Sequence, residues 1–173
     1  AWYLCRFFMN QEFIFKTEFR KIADDDATTY DARSKQTILK DRTVGTTKPL
    51  KNNFTGELFL LIDGGSSSAS GEVASVVERY KRGIIIGEEA GGSPSLISSR
   101  WFYVGKNQLP NTKLIFSAPK RTSVMGNYLD DTGHGTIPDY VVDHTIHSYL
   151  AGEDLAFNKA IELIRAKLLR TNK

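Results

Sequence analysis

A run of small hydroxyl residues lies where the sequence predicts that a strand turns into a helix. Residues 64–72 read Gly-Gly-Ser-Ser-Ser-Ala-Ser-Gly-Glu. They follow the apolar run 58–62, which is typical of a buried strand, and precede apolar residues spaced three and four apart from Val73 to Tyr80. A serine at such a helix start has unpaired backbone N–H groups beside it, which would hold the oxyanion formed when its hydroxyl attacks a carbonyl. The same residues also suit a simpler role, in which the serines cap the helix and the glycines form the turn.

Other reactive residue types form no pattern of comparable strength. The single cysteine, Cys5, lies in an apolar run and is predicted to be a small buried residue. The three histidines, His134, His144 and His147, show no HExxH pattern and the chain has no CxxC, so no metal site is predicted. We expect His144 and His147 to be surface residues.

Composition excludes several partner classes. The net charge of +3 is scattered along 173 residues without a basic stripe, so nucleic acid is a poor candidate partner. No stretch approaches the roughly 20 apolar residues of a membrane span. The first residues carry no recognisable signal peptide. The sequence indicates no oligomeric state.

The elements that must position the serine run follow an alternating α/β pattern. A strand at 57–63, a helix at 69–81 and a strand at 83–87 predict a βαβ unit with parallel neighbouring strands. The further predicted elements are strands at 96–105 and 112–119 joined by a turn at 106–108, a polar loop at 120–136, a strand at 140–142 and a final helix that opens at 152–154.

The chain is predicted to be one domain of residues 1–173. Its first part, residues 1–54, is expected to hold a helix at 1–9 and mainly surface loop with short irregular elements at 24–54. Residues 55–173 are expected to carry the βαβ core and the C-terminal helix.

Three motifs together indicate a family. They are Ser66-Ser67-Ser68-Ala69-Ser70-Gly71-Glu72, Gly87-Glu88-Glu89-Ala90-Gly91-Gly92 and Gly133-His134-Gly135-Thr136-Ile137-Pro138-Asp139. Over residues 55–170 the chain resembles the S41-type C-terminal processing and tail-specific peptidases, including their tricorn-like and retinoid-binding-protein-like branch. The resemblance implies a ClpP/crotonase-like spiral of ββα units, here without its first strands. It also implies a serine peptidase that cleaves unfolded or C-terminal peptide segments through an acyl-enzyme, without a cofactor.

The resemblance assigns the nucleophile to Ser68 and the oxyanion donor to the amide of Ala69. The family usually has a glutamate three residues after the nucleophile, whereas Glu72 lies four residues after Ser68. One extra residue in the turn explains this offset, because alanine cannot attack a carbonyl. Ser67 and Ser70 are the alternative nucleophiles.

The position of the general base departs from the family pattern. The serine–lysine branch has a lysine where this chain has Ser93, and no lysine lies between Lys81 and Lys106. The other branch uses a histidine upstream of a glycine-rich strand, and neither is found in the sequence. We therefore expect the chain to be the C-terminal part of a longer protein, with the base supplied from outside it.

Polar residues of the last motif offer a base inside the chain. His134, oriented by Asp130 or Asp131, would give a Ser–His–Asp arrangement with Ser68, and the alternative is a surface-loop histidine. Asp131 also lies near the position of an acidic residue that supports the polar network in the tricorn-like branch. Glu88 and Glu89 are expected to fix their loop through hydrogen bonds.

Two other functions remain compatible with these motifs. One is a catalytically inactive module of the same fold that binds a ligand or a peptide. The other is an acyl-CoA enzyme of the crotonase type, against which the Ser-x-Ser-Ala run and the lack of a basic set for CoA both argue. The resemblance further implies an extracytoplasmic location in a bacterium.

Overall fold

The described part of the chain is a mixed α/β structure. The computed structural model describes residues 1–21, 42–101, 108–115, 119–126 and 133–171. The elements are α1 (Trp2–Phe8), β1 (Phe13–Ile14), β2 (Glu18–Lys21), β3 (Thr46–Thr47), β4 (Phe59–Ile62), α2 (Ala69–Arg79), β5 (Ile84–Gly87), β6 (Leu96–Trp101), β7 (Pro119–Val124), β8 (Tyr140–Val141), α3 (Ile146–Leu150) and α4 (Leu155–Thr171). The α/β class is as predicted, whereas the ClpP/crotonase-like spiral and the single-domain organisation stay predictions.

The predicted βαβ unit is confirmed. Strands β4 and β5 pair in parallel, with Leu60 opposite Ile85, and α2 connects them. The predicted strand at 140–142 is β8, which pairs in parallel with β5 and places Tyr140 opposite Ile86. The apolar face of α2 is buried, because Val76 and other residues at helical spacing pack into the core.

The N-terminal segment packs against α2 and completes the core. The predicted helix at 1–9 is α1, which contacts α2 and buries Cys5 and Phe8. Phe13 and Phe15 are each 1% exposed and belong to the same apolar cluster. Burial raises the pKa of the Cys5 thiol to about 12. This residue is therefore the small buried side chain that the sequence predicted.

Side chains at the end of α2 hold this segment in place. Arg79 donates from Nη2 to the carbonyl of Ile14 at 3.0 Å and from Nη1 to the carbonyl of Met125 at 2.9 Å. The hydroxyl of Tyr80 accepts from the N–H of Ile14 at 2.6 Å. Ile14 of β1 and Met125, which follows β7, are thus held beside the C-terminal end of α2.

An antiparallel sheet formed by β2, β6 and β7 corrects the prediction for residues 112–136. Its order is β2-β7-β6, and both pairings are antiparallel. The central strand β7 covers Pro119–Val124, a polar stretch whose last five residues fell in the predicted loop. The strand predicted at 112–119 is wrong at residues 112–114, while residues 116–118 lie outside the described residues. Because β7 is bonded on both edges, backbone pairing outweighs its low apolar content. Strand β2 was not predicted either.

The turn that was predicted at residues 106–108 lies at residues 110–112. Gln108 forms a bridge with Ile115, and the turn between them contains Pro110 and Asn111, which are favourable turn residues. The predicted turn at 106–108 is wrong at Gln108, while residues 106 and 107 lie outside the described residues. Most of the predicted loop at 24–54 also lies outside them, and its described part, 42–54, contains β3.

The C-terminal part adds one predicted and one unpredicted helix. The final helix is α4, which packs against β4 and β5. Helix α3 was missed because it is only five residues long, and it starts with a capping box between Thr145 and Ser148. His144 and His147 are exposed, as predicted. Within the described ranges, no helix is both long and apolar enough to cross a membrane.

Candidate active site

Ser68 lies at the strand-to-helix turn and has an unusual backbone conformation. It is the N-cap residue of α2, with φ of 50° and ψ of −118°. A positive φ is uncommon for a residue with a side chain, and this ψ lies outside the left-handed helical region. A conformation of this kind costs of the order of 1–3 kcal/mol and is found most often at functional sites. In α/β-hydrolases, a strained strand-to-helix turn is the device that exposes a nucleophilic serine.

The hydroxyl of Ser68 is exposed and takes no part in holding the turn. It makes no capping hydrogen bond, and no other hydrogen bond of its side chain is found within the described structure. By contrast, Ser66 donates to Oδ1 of Asp63 at 2.9 Å, and Ser70 donates to the carbonyl of Ser67 at 2.7 Å. The turn is therefore stabilised by its neighbours, while the Ser68 hydroxyl stays available.

The backbone N–H of Ala69, the first residue of α2, is also available. Within the described residues it donates to no protein acceptor, while the N–H of Glu72 donates to the carbonyl of Ser68 at 2.9 Å. A hydroxyl and a free N–H on consecutive residues are the pair that acyl transfer requires for attack and for oxyanion binding. Sequence analysis assigned these two roles to the same residues.

The loop after β5 lies against the serine turn. A Cβ on Gly91 would collide with the carbonyl of Gly64, and a Cβ on Gly92 would lie 3.8 Å from the Cβ of Ser67. The next residue, Ser93, occupies the position of the family's lysine. Its Oγ accepts from the N–H groups of Ser95 and Leu96, each at 3.1 Å, so it shapes the start of β6 and offers no base.

His134 contacts Glu89. Its Nδ1 lies 3.2 Å from Oε1 of Glu89, and the same oxygen accepts from the N–H of Gly135 at 2.7 Å. These contacts lower the pKa of Glu89, with the Gly135 N–H as the main cause and the His134 contact as a further one. Glu89 therefore fixes the 133–136 loop through hydrogen bonds. No hydrogen bond joins His134 to Ser68 in the described structure, and Asp130 and Asp131 lie outside the described residues.

The same loop is held from a second side. The buried Thr136 donates from Oγ1 to Oε2 of Glu78 on α2 at 3.2 Å, and its carbonyl accepts from the N–H of Ala90 at 3.0 Å. Burial raises the pKa of Glu78, although the Thr136 hydrogen bond works in the opposite direction. Oδ2 of Asp139 accepts from the N–H of Ile85 at 2.8 Å. The third motif is thus tied to α2 and to β5.

A cavity of about 590 Å³ opens at the carboxyl ends of β4 and β5, next to the serine turn. Its lining includes Asp63 and Ser66 from the turn, Glu88 from the following loop, and His144 and Tyr149 from the region of α3. Ser68 is not among the lining residues. The cavity therefore borders the serine turn at Asp63 and Ser66.

An ion pair at the start of α2 was missed by sequence reasoning. Nζ of Lys16 lies 2.9 Å from Oε1 of Glu72, and both side chains are largely buried. The two residues are far apart in the sequence, so no local pattern signals the contact. Within the described ranges, no group of three or more His, Cys, Asp or Glu residues is arranged to hold a metal ion.

The model of peptidase family S41 matches residues 3–142, which include the serine turn and both loops beside it. The chain belongs to peptidase family S41. This assignment confirms the family that the three motifs predicted.

One solved structure shares the fold of this chain. A crystal structure described as a "putative peptidase" from Parabacteroides merdae ATCC 43184 is similar over 92% of this chain and 45% of its own, with 17% sequence identity and a TM-score of 0.52. The photosystem II D1 C-terminal processing protease is 22% identical over 57% of this chain and 23% of its own, with a TM-score of 0.37, too low for a structural argument. The S41 chain therefore spans less than half the length of these proteins. A comparison with curated proteins finds no match.

Proposed function

We propose that this S41 chain carries the nucleophile and one oxyanion donor of a serine peptidase that acts on unfolded or C-terminal peptide segments. The observation that carries the proposal is the conformation of Ser68, strained at the N-cap of α2 with an unengaged hydroxyl next to the free N–H of Ala69. A strained residue persists only where its surroundings hold it. Selection for an exposed nucleophile explains why a serine, rather than a glycine, occupies this position.

The chemistry would proceed through an acyl-enzyme. The Oγ of Ser68 forms a bond to the carbonyl carbon of the scissile peptide while a general base takes its proton. The N–H of Ala69 donates to the oxyanion of the tetrahedral intermediate. Collapse of that intermediate breaks the C–N bond, and the amine leaves with the proton from the base. Water then hydrolyses the ester and restores the hydroxyl of Ser68. No cofactor enters these steps.

The general base is proposed to come from outside this chain. Among the described residues, no lysine, histidine or carboxylate is hydrogen-bonded to Ser68, and His134 is engaged by Glu89. The chain also spans only 45% of the Parabacteroides merdae protein. An extracytoplasmic bacterial location and the ClpP/crotonase-like spiral belong to the same proposal. Both follow from the family resemblance alone.

The test is covalent labelling with a fluorophosphonate, followed by mass spectrometry of the labelled peptide. In the protein expressed at its natural full length, we expect the label on Ser68. The matched variants Ser67→Ala and Ser70→Ala should keep the label and Ser68→Ala should lose it. Labelling that moves to another serine would transfer the nucleophile to that residue.

The absence of a described base next to Ser68 favours one second candidate, an inactive binding module of the same fold. In that case the strained turn would bind a peptide carbonyl without cleaving it. A folded full-length protein that binds an unstructured peptide, yet neither cleaves it nor reacts with the fluorophosphonate, would support this alternative.

A further inference from the structure

A buried ion pair ties the first turn of α2 to the N-terminal segment. The Nζ of Lys16 lies 2.9 Å from Oε1 of Glu72, and the two side chains are 12% and 13% exposed. The ion pair between Lys48 and Glu12 is different, because its atoms are 3.5 Å apart and its side chains are 79% and 56% exposed. A charge taken out of water is stable only if it is paired, so Lys16 and Glu72 depend on each other in a way that Lys48 and Glu12 do not.

The lysine end of the pair is firmly anchored. The N–H of Lys16 donates to the carbonyl of Thr43 at 3.2 Å, and its carbonyl accepts from the N–H of Gly45 at 2.8 Å. Its neighbours Phe13 and Phe15 are each 1% exposed and belong to the main apolar cluster. Lys16 therefore projects from a part of the chain that is fixed by backbone hydrogen bonds and by packing.

The glutamate end reaches the candidate site directly. The N–H of Glu72 donates to the carbonyl of Ser68 at 2.9 Å, which closes the first turn of the helix. Ala69 lies three residues before Glu72, a spacing that makes two helical residues surface neighbours. Any movement of Glu72 is therefore transmitted to the hydroxyl of Ser68 and to the N–H of Ala69.

This helix start has no side-chain cap of its own, because the Ser68 hydroxyl makes no hydrogen bond to the first turn. A serine in that position usually stabilises the turn by such a bond. Here the turn also holds a strained residue, whose conformation must be fixed by other contacts. The Lys16–Glu72 pair provides such a contact from outside the helix.

We propose that Lys16 is a positioning residue, which acts through Glu72 to hold Ser68 and the Ala69 N–H in the geometry that receives a peptide carbonyl. This inference rests on the proposed function. Lys16 also has an electrostatic effect, because a lone carboxylate one turn from the developing oxyanion would oppose its negative charge. Pairing with the lysine neutralises that carboxylate.

Among the described residues, the other charged or titratable groups that act on Glu72 do not replace Lys16 in this role. The glutamate charge contributes to the raised pKa of the Cys5 thiol on α1, and that thiol carries no positive charge. Arg79 lies on α2 itself and donates to the carbonyls of Met125 and Ile14. Removal of Lys16 would therefore leave the Glu72 carboxylate beside a neutral thiol.

The experiment compares Lys16→Met, Glu72→Gln and the double variant in the protein at its natural full length. It measures the rate of fluorophosphonate labelling at Ser68, with kcat and KM for an unstructured peptide, at pH 8. We expect Lys16→Met to lower labelling and kcat by about ten- to a hundredfold at pH 8, because small displacements of a reacting group have effects of this size. KM should change little. Lys48→Met, the matched control, should stay within about twofold of the wild type.

The split between kcat and KM, together with rescue by arginine, separates positioning from simple loss of stability. A displaced Ser68 lowers kcat and the labelling rate in protein that is folded, and Lys16→Arg, which keeps a cation opposite Glu72, should restore most of both. The double variant has neither charge, and its deficit should be smaller than that of Lys16→Met. A deficit that follows only the fraction of folded protein would overturn the positioning role.

Each failure has a distinct readout. If wild-type Ser68 is not labelled, the proposed function fails and this inference fails with it. If wild type and Lys16→Met are labelled at equal rates, only the inference fails. If Lys16→Met does not fold, the double variant and Lys16→Arg test the proposal instead. We expect both to label faster than Glu72→Gln, which removes the carboxylate opposite Lys16 and keeps the lysine charge, and the opposite order would overturn the proposal.

Discussion

Ser68 holds a backbone conformation that residues with side chains avoid, and its hydroxyl gains no hydrogen bond in exchange. The neighbouring serines are engaged differently, since Ser66 and Ser70 both donate within the turn. Residue type alone does not separate these serines. The positive φ and the free hydroxyl distinguish Ser68 from Ser66 and Ser70.

Replacement of Ser68 by glycine should stabilise the protein and remove its activity. Glycine adopts a positive φ without a Cβ clash, so Ser68→Gly should raise the free energy of unfolding by about 1 kcal/mol. Ser68→Ala keeps the Cβ and should leave the free energy of unfolding within about 0.5 kcal/mol of wild type, because no hydrogen bond is lost. Urea denaturation measures both values, and fluorophosphonate labelling should be absent in both variants. Equal stability of the two variants would contradict the strain at this residue.

Cys5 should be inert towards thiol reagents in the folded protein. The residue is 0% exposed, and burial raises its pKa to about 12, so the native thiol is neither accessible nor ionised at pH 8. We expect iodoacetamide to leave native Cys5 unmodified for hours and to alkylate it within minutes in denaturant, as followed by mass spectrometry. Rapid alkylation of the folded protein would show that α1 detaches from the core.

At the scale of elements, the 133–136 loop is held by two carboxylates whose pKa values shift in opposite directions. Glu89 binds the loop at Gly135 and His134, and its pKa is lowered. Glu78 binds Thr136 from α2, and its pKa is raised, mainly by burial. The two contacts should therefore respond differently to pH.

The Glu89 contact should weaken in acid. Because its pKa is lowered on folding, its stabilisation is present above the ordinary value of 4.5 and is lost as the pH falls through the folded-state pKa. We expect hydrogen exchange at the Gly135 amide, corrected for its intrinsic rate, to accelerate in wild type over that range. In Glu89→Gln the corrected rate should not depend on pH. A wild-type rate that also stays constant would disprove the loop-fixing role of Glu89.

The Glu78 contact should show the opposite dependence. Because burial raises its pKa, the ionised form opposes folding, and stability from this group increases as the pH falls through the folded-state pKa towards the ordinary value of 4.5. Glu78→Gln keeps an acceptor for Thr136 and removes the charge. Urea denaturation should show this variant to be more stable than wild type at pH 7, with a smaller difference at pH 5. A loss of stability at pH 7 would mean that the charge of Glu78 stabilises the fold.

At the scale of the whole molecule, one prediction concerns peptide hydrolysis by the 173-residue chain expressed by itself. We expect the 173-residue chain to hydrolyse no unstructured peptide, because no described base is hydrogen-bonded to Ser68 and serine is a weak nucleophile without one. Loss of an oxyanion donor or of a base typically lowers the rate by at least 10². Activity should be found in the protein at its natural full length.

The measurement is peptide hydrolysis by both proteins, after circular dichroism has shown that each is folded. Clear turnover by the 173-residue chain that disappears in His134→Ala would contradict the proposal. In that case His134 would leave Glu89 and act as the base for Ser68, with Asp131 as a candidate orienting residue. Turnover that persists in His134→Ala would indicate a base among residues outside the described ranges.

The sequence by itself determined the βαβ unit, the first and last helices and the S41 family. These features depend on hydrophobic spacing within short segments, as in the apolar runs of β4 and β5 and the helical spacing of α2. The tertiary structure alone decided that the polar segment Pro119–Val124 is a central strand, because its pairing partners are distant in sequence.

Some features of the candidate site were likewise indicated by the sequence, and others were seen only in the tertiary structure. Sequence motifs indicated Ser68 and Ala69, because the chemistry of a hydroxyl at a helix start is local. The strained φ of Ser68, the contact of His134 with Glu89 and the ion pair of Lys16 with Glu72 became visible only in the fold. Each depends on chain segments that are brought together by the burial of the core, and short-range spacing contains no information about such contacts.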